Sequence, residues 1–483
     1  MTVSLPPELA QQTAGTDTLR TALAAQHDFF LPERPCWAAR APGRLDLMGG
    51  FADYSGSRVL QMPTAEATWC VVQRDPAAAL RVASLEATTE AGAPDAEFPM
   101  ADLLPGGEPM DYLAARTYFT ARPAERWAAY PLGALLVLLQ EEQVPLDGGL
   151  RLLFASNVPL STGLSSSAAI EVAAMRATAG ALGVTLDGRT LALYCQMAEN
   201  LVAGAPCGVM DQLTSACATR HHLLSIRCQP AEIEGQVRIP DGVGIWAVDS
   251  GIRHAVSGAD YDAVRVGTFM GWRILAARTG ACASRGSRPD LVHLMNPPWH
   301  GYLANLTPSE YMVRFREDLP LTMQGDAFLA TYAGTTDAVT RVDPDRTYPV
   351  RRPVEHAVYE NQRVALVQAL LGQPAVCDTT LELVGELMYQ AHASYTACGA
   401  GSQGTDRLAA LAQQAGPDHG IYGAKITGGG SGGCVAILGR REAEPAVRRI
   451  ATRYREETGI GGVVFDGTSE GAMAFGVHQL ENT

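Results

Sequence analysis

Short apolar runs bounded by Gly, Pro and small polar residues alternate along this chain with longer stretches of helical apolar spacing. From Cys36 to about Arg74 the pattern predicts strand, turn, strand, with Val71-Val72-Gln73-Arg74 closing the second strand. Leu132 to Glu142 predicts a buried helix. Gly149 to Phe154 predicts a strand, then a turn and a helix from about Ser165. A further helix is predicted over Leu191 to Leu201, another from near Val209, and strands at Leu223 to Arg227 and Gly244 to Asp249. Long helices follow at about 355–371, 380–397 and 404–415. The chain then reads strand, Gly-rich loop, strand (Ala424 to Leu438), helix (444–457) and a last strand near Val463 to Phe465. Residues 1–34 read as peripheral, 85–110 as loop, and the Pro-rich stretch near 285–350 as an insertion with short helices. Mixed strands and helices of this kind predict an α+β or α/β protein of two lobes.

Composition narrows this picture. The 483 residues suggest roughly two to three domains. With 47% apolar and 18% charged residues, the core is ample. The longest apolar window, around Leu132 to Leu139, is too short to span a bilayer. Met1 to Gln26 has neither a basic start nor a continuous apolar segment, so no secretory signal is expected and the cytoplasm is the default location. The ten cysteines are scattered singly with no Cys-x-x-Cys pair, so reduced, mostly buried thiols are expected and zinc is not. A net charge of −14 argues against a nucleic-acid partner but leaves a nucleotide substrate open. Lys425 is the one lysine beside 36 arginines among the 37 basic residues.

Four segments carry candidate chemistry. Residues 41–56 place Arg44, Asp46 and Asp53 in a strip otherwise apolar, small or Gly-rich. Such charges are either paired with each other or bound to a ligand. Residues 157–171 lead from a strand through Pro159 and Gly163 into a helix opened by Ser165, Ser166 and Ser167. Free amides and the positive end of that helix form an anion site, unless the serines merely cap it. No Gly-x-x-x-x-Gly-Lys-Ser/Thr sequence is present. Residues 423–434 hold five glycines in six positions, just after Lys425. Glycines so dense fit a backbone that must approach a ligand or another loop closely. A compact ammonium in an Arg-dominated chain points to a specific contact. Glu199 lies twelve residues before Asp211, which falls in the first turn of a helix after the breakers Pro206 and Gly208. A carboxylate beside an anion site suits Mg²⁺.

Together these segments resemble the GHMP kinase superfamily, in its galactokinase branch. The resemblance rests on 41–56, on 157–169, on 423–434, and on the spacing of Glu199, Gly208, Asp211 and the Arg253-His254 … Ala259-Asp-Tyr261 stretch. It covers roughly 36–480. It implies an α+β, two-lobed fold with a ribosomal-S5-like N-terminal lobe (1–225) and a ferredoxin-like C-terminal lobe (226–483). The active site is implied between them. ATP would lie along Ser161, Thr162, Gly163, Leu164, Ser165, Ser166, Ser167 and Ala168, with Gly429 and Gly430 of the Gly-rich loop closing over it. Ser167 and Glu199 would hold Mg²⁺. Arg44 and Asp211 would be the catalytic pair, Asp211 sitting beside the sugar C1 hydroxyl. Asp53, Gly208 and Tyr261 would meet the other hydroxyls. Asp46 stays unassigned. The partners implied are a small sugar and ATP, with no membrane and a monomer favoured.

The chain departs from the branch at one informative place. Galactokinases read Gly-Glu-His-Thr-Asp-Tyr-Asn where this chain reads Gly49-Gly50-Phe51-Ala52-Asp53-Tyr54-Ser55. Gly50 and Phe51 thus remove polar partners of the sugar's hydroxymethyl end. A buried hydroxyl left unpaired costs about 1–3 kcal/mol. The expected substrate keeps galactose's ring hydroxyls but lacks the exocyclic carbon, as L-arabinopyranose does. Stretches such as "APCGVMDQLTSAC" and "GAKITGGGSGG", including Ser431, also resemble the kinase half of the plant L-arabinokinases, whose glycosyltransferase-like half has no counterpart in these residues. The expected activity is phosphorylation of L-arabinose at C1. The alternatives are a galactokinase, another sugar 1-kinase, or a sugar- and ATP-sensing regulator. A uronate kinase would want Arg or Lys at Phe51.

Overall fold

The computed structural model describes residues 3–4, 15–85, 95–253 and 259–482. Its larger sheet is built on two long strands, Cys36–Met48 and Arg58–Asp75, paired antiparallel with register shifts at 42/44 and 46/48. Both are buried nearly throughout because the sheet is covered on both faces and changes neighbours half way along. Ala39, Ala41, Cys70 and Val72 pack under the Ala129–Glu141 and Ser166–Leu182 helices. Leu45, Leu47, Leu60 and Met62 face the second lobe.

Gly149–Ser156 extends the sheet antiparallel to Arg58–Asp75, and Ala79–Ser84 then runs parallel to it. Asp95–Pro99 closes that side as an edge strand, where a loop was expected over 85–110. Of its five residues only Phe98 is buried, so it carries almost no alternation to read. Met100–Leu103 and Pro105–Gly107 in the same expected loop form short helices, while residues 86–94 lie outside the described residues, as does His254. At the other end of Arg58–Asp75 the His222–Arg227 and Glu232–Arg238 strands join the same sheet, and Val477–Asn482 pairs with Cys36–Met48. The sheet therefore crosses the division expected at residue 225.

The second sheet is antiparallel, in the order Ile421–Ile426, Cys434–Arg440, Val243–Asp249, Val464–Asp466. Numbered along the chain from Val243–Asp249, and read from the Val464–Asp466 edge, this is the 4-1-3-2 order of a ferredoxin-like layer. Alternate residues of the central strand point to opposite faces. Ile245 and Ala247 meet the cluster shared with the first lobe, while Trp246 and Val248 meet the Gln403–Ala415 and Glu444–Thr458 helices.

The 20-residue Ala259–Arg278 helix was not anticipated. Buried residues surround it on nearly all sides from Tyr261 to Ala276, so no amphipathic stripe marks it. The insertion packs onto it through Leu303, Tyr311, Phe315 and Phe328, and supplies Asp337, which pairs with Arg265 at 2.8 Å.

The lone lysine joins the two lobes. Lys425 Nζ lies 2.6 Å from Asp46 Oδ2, both side chains fully buried. Asp46 Oδ1 also accepts from Gln61 Nε2 at 2.6 Å and from the Gly50 amide at 3.0 Å. Burial pushes the Asp46 carboxyl up, but Lys425 and Arg44 outweigh it and hold it below the usual range.

Candidate active site

A strand that ends at Ser156 and a helix that begins at Ser166 leave the intervening loop at the mouth of a cleft of about 530 Å³. Ser165 starts the helix in a left-handed conformation (φ 58°), and its side chain does not cap the first turn. Its hydroxyl donates instead to Asp211 Oδ2. The first-turn amides are thereby left without a side-chain cap, at the positive end of the helix, which is the condition for binding an anion.

Ser161, Gly163, Ser165, Ser166 and Ser167 line the cleft. Three of the expected nucleotide residues of this loop do not. Thr162 turns back to the Pro159 carbonyl at 3.0 Å. Leu164 and Ala168 are fully buried in the core, Leu164 offering its carbonyl to the Arg44 amide at 2.9 Å. Of the Gly-rich loop, Gly429 reaches the cleft. Gly430 lies behind it, where a Cβ would come within 2.5 Å of the Ala400 carbonyl oxygen.

Arg44 and Asp211 meet as expected. Arg44 Nε donates to Asp211 Oδ1 at 2.9 Å, with Nη2 bonded to the same oxygen. Its Nη1 donates to the Gly163 carbonyl at 3.0 Å, tying the first strand to the phosphate loop. Both line the cleft, the arginine side chain 3% exposed and the aspartate 19%, so the carboxylate is the more open of the two.

Glu199 arrives by a different route. The Gly188–Met197 helix widens into a π turn over Ala198–Ala203, of the kind often found at functional sites. Glu199, 2% exposed, accepts from Gln212 Nε2 at 2.6 Å. Burial and the nearby Asp211 push its carboxyl up to about 7, against hydrogen bonds from Ser167, Cys207 and Gln212. Glu171, one turn beyond Ser167 and fully buried, lies beside it, and burial with Glu199 pushes that carboxyl well above the usual range. Burial and mutual repulsion thus work against charge on both carboxyls, and a cation beside them would favour their ionised forms.

Asp53 sits in the short 3-10 turn Gly50–Ser55 and accepts from the Tyr54 amide at 2.7 Å. Gly208 is required beside it, since a Cβ there would lie 1.8 Å from Asp53 Oδ2. Burial and Asp211 push the Asp53 carboxyl up to about 7, opposed by Arg265 and Arg44. The folded protein therefore holds a proton here that the unfolded chain releases above the ordinary pKa of 3.8. That contribution to stability is fully present below about pH 4 and is lost as pH rises through about 7. Asp53→Asn is accordingly expected to raise the melting temperature at pH 8 and leave it nearly unchanged at pH 4. Thermal melts at both pH values check this.

Phe51 and Tyr261 line the cleft near Asp53. Gly50 does not. It is buried against Tyr395, whose hydroxyl takes the space a side chain at residue 50 would need.

Several site residues escaped the sequence reading. Trp127, in the 3-10 turn Pro123–Ala128, and Tyr130, three residues on in the Ala129–Glu141 helix, line the cleft together with Ile170. Their i, i+3 spacing was visible, but it merged with the apolar run that follows. Glu171 lay in plain view as an acid in an Ala-rich helix.

The chain matches three family descriptions: "Galactokinase galactose-binding signature" over 27–74, "GHMP kinases N terminal domain" over 129–219 and "GHMP kinases C terminal" over 373–456. It is 42% identical to L-arabinokinase of Arabidopsis thaliana over 97% of this chain and 49% of that protein. It thus spans about half the length of that relative. It is 30% identical to a galactokinase of Chloroflexus aggregans, covering 91% of this chain and 93% of that one. In fold it is similar to Lactococcus lactis galactokinase complexed with galactose, with a TM-score of 0.72 at 20% identity over 95% of this chain and 99% of that one.

Proposed function

Since this chain belongs to the GHMP kinases, in their galactokinase branch, we propose that it transfers the γ-phosphoryl group of ATP to the anomeric hydroxyl of L-arabinose, giving β-L-arabinose 1-phosphate and ADP. The observation that carries the choice of sugar is Phe51. It is 2% exposed at the cleft wall, where a galactokinase carries a polar partner for the hydroxymethyl group.

The residues divide the work. The uncapped amides at Ser166 and Ser167, with Ser161 and Gly163, receive the phosphate chain. Trp127, Tyr130 and Ile170 offer flat and apolar faces for the adenine base. Asp53 and Tyr261 receive ring hydroxyls. Asp211 faces the C1 hydroxyl and takes its proton as the new O–P bond forms and the bond to ADP breaks. Arg44 holds Asp211 in place and offsets the charge of the transferring group, in a reaction where positioning and electrostatics supply most of the catalysis.

Among the described residues no three of His, Cys, Asp and Glu gather as a metal site. Mg²⁺ in kinases asks for less, usually one or two protein oxygens beside the substrate phosphates. The Ser167 hydroxyl and the dry Glu199 carboxylate fit that donor set. When bound, Mg²⁺ would neutralise phosphate charge.

ADP release with Mg·ATP, measured separately on L-arabinose, D-galactose and D-glucuronate, tests the reading. L-arabinose is expected to be the best substrate by about 10- to 200-fold, the span that one carbon's fit is worth in an apolar pocket. Equal or faster turnover of galactose would overturn the assignment.

A further inference from the structure

Tyr395, in the Asp378–Ala397 helix, has no part in the phosphate chemistry or the hydroxyl contacts above. It is fully buried and packs in one cluster with the cleft-lining Phe51 and Tyr261. Its hydroxyl oxygen lies 1.3 Å from where a Cβ on residue 50 would stand, and its Cζ lies at 2.5 Å. Gly50 also holds a φ of +49°. A side chain at residue 50 and a tyrosine at 395 therefore exclude each other. The same hydroxyl accepts from the Phe51 amide at 3.2 Å and donates to the Gly428 carbonyl at 2.8 Å.

The ring then fixes Phe51. The two ring centroids are 4.5 Å apart, and the His356 ring presses on Phe51 at 4.3 Å. His356 is itself anchored, its Nδ1 lying 2.9 Å from the hydroxyl of Ser394, the residue before Tyr395. Phe51 is thus held by its backbone and by two rings, and cannot swing aside for a larger sugar.

We propose that Tyr395 is a specificity-determining positioning residue: it occupies the volume of a residue-50 side chain and holds Phe51 as an apolar end wall that excludes an exocyclic hydroxymethyl group. The role rests on the arabinose reading above. It makes the vacancy at residue 50 part of a pair rather than a simple loss. Through Gly428 it also links the wall to the Gly-rich loop.

Two measurements decide it. Tyr395→Phe keeps the ring and removes the hydroxyl. The ratio of kcat/KM for L-arabinose to that for D-galactose is expected to fall about tenfold, mostly in the sugar KM, the order of effect of a one-carbon misfit. The ATP KM should stay within about twofold, since the nucleotide end is untouched. An equal loss on both sugars would mean a merely structural role and overturn the proposal. The second is a double-mutant cycle on L-arabinose turnover, with Gly50→Ala made in the wild type and in Tyr395→Leu, whose side chain ends short of the clash. The alanine is expected to cost at least about tenfold less in the Tyr395→Leu background, the coupling that residues in direct contact show. The same cost in both backgrounds would also overturn it. If the wild-type protein itself prefers galactose, the arabinose reading falls, and the cycle still decides whether residues 50 and 395 exclude each other.

Discussion

Replacing Asp211 with asparagine is expected to lower kcat about 10²- to 10⁴-fold, the contribution of a positioned acid–base group. The amide keeps the shape and an oxygen for Arg44 Nε, which now sits 2.9 Å from Oδ1. It cannot accept the proton of the C1 hydroxyl, and it leaves the 3%-exposed arginine facing a neutral partner. Asp46 and Asp53 also support the Arg44 charge, so the variant should stay folded. The sugar KM should change far less than kcat, because the loss falls on the transition state. Steady-state kinetics beside a thermal melt check both parts. A folded Asp211→Asn protein that phosphorylates sugar nearly as well as wild type would contradict the role given to this carboxylate.

Lys425→Met is expected to destabilise the protein by about 3–5 kcal/mol, the cost of stripping one partner from a buried ion pair. Asp46 has no exposed surface through which water could replace the ammonium. Its remaining donors, Gln61 and the Gly50 amide, are neutral. The pair spans the two lobes, from a strand of the first sheet to a strand of the second, so the loss is felt between them. Adding Asp46→Leu to Lys425→Met is expected to recover much of the loss, because an apolar pair leaves no stranded charge. Urea denaturation of the single and double variants measures this. A loss below about 1 kcal/mol for Lys425→Met would place the pair with exposed ion pairs.

Residues that sit in short local motifs were legible in the sequence. Arg44, Asp211, Glu199 and the serines of the 157–171 segment were open to structural readings on spacing alone and were singled out by the resemblance, and the structure brings them to one cleft. The two long strands and the helices with one apolar face were legible from their local pattern. What stayed hidden depends on distant partners. The rarity of Lys425 pointed to a specific contact, but its partner proved to be Asp46, 379 residues away. Gly50 looked like part of the sugar site, although it makes room for Tyr395, 344 positions from Phe51. The Ala259–Arg278 helix gave no periodic signal because the insertion covers its outer side. Ser165 was expected to supply a donor for phosphate or a cap, and it turns to Asp211 instead.

The most direct measurement is a competition. Equal concentrations of L-arabinose and D-galactose are given to the protein with limiting Mg·ATP, and the sugar phosphates formed are identified by ³¹P and ¹³C NMR. The account predicts one dominant product, L-arabinose carrying phosphate on C1. Galactose 1-phosphate in equal or greater amount, or phosphate on any carbon other than C1, would contradict it.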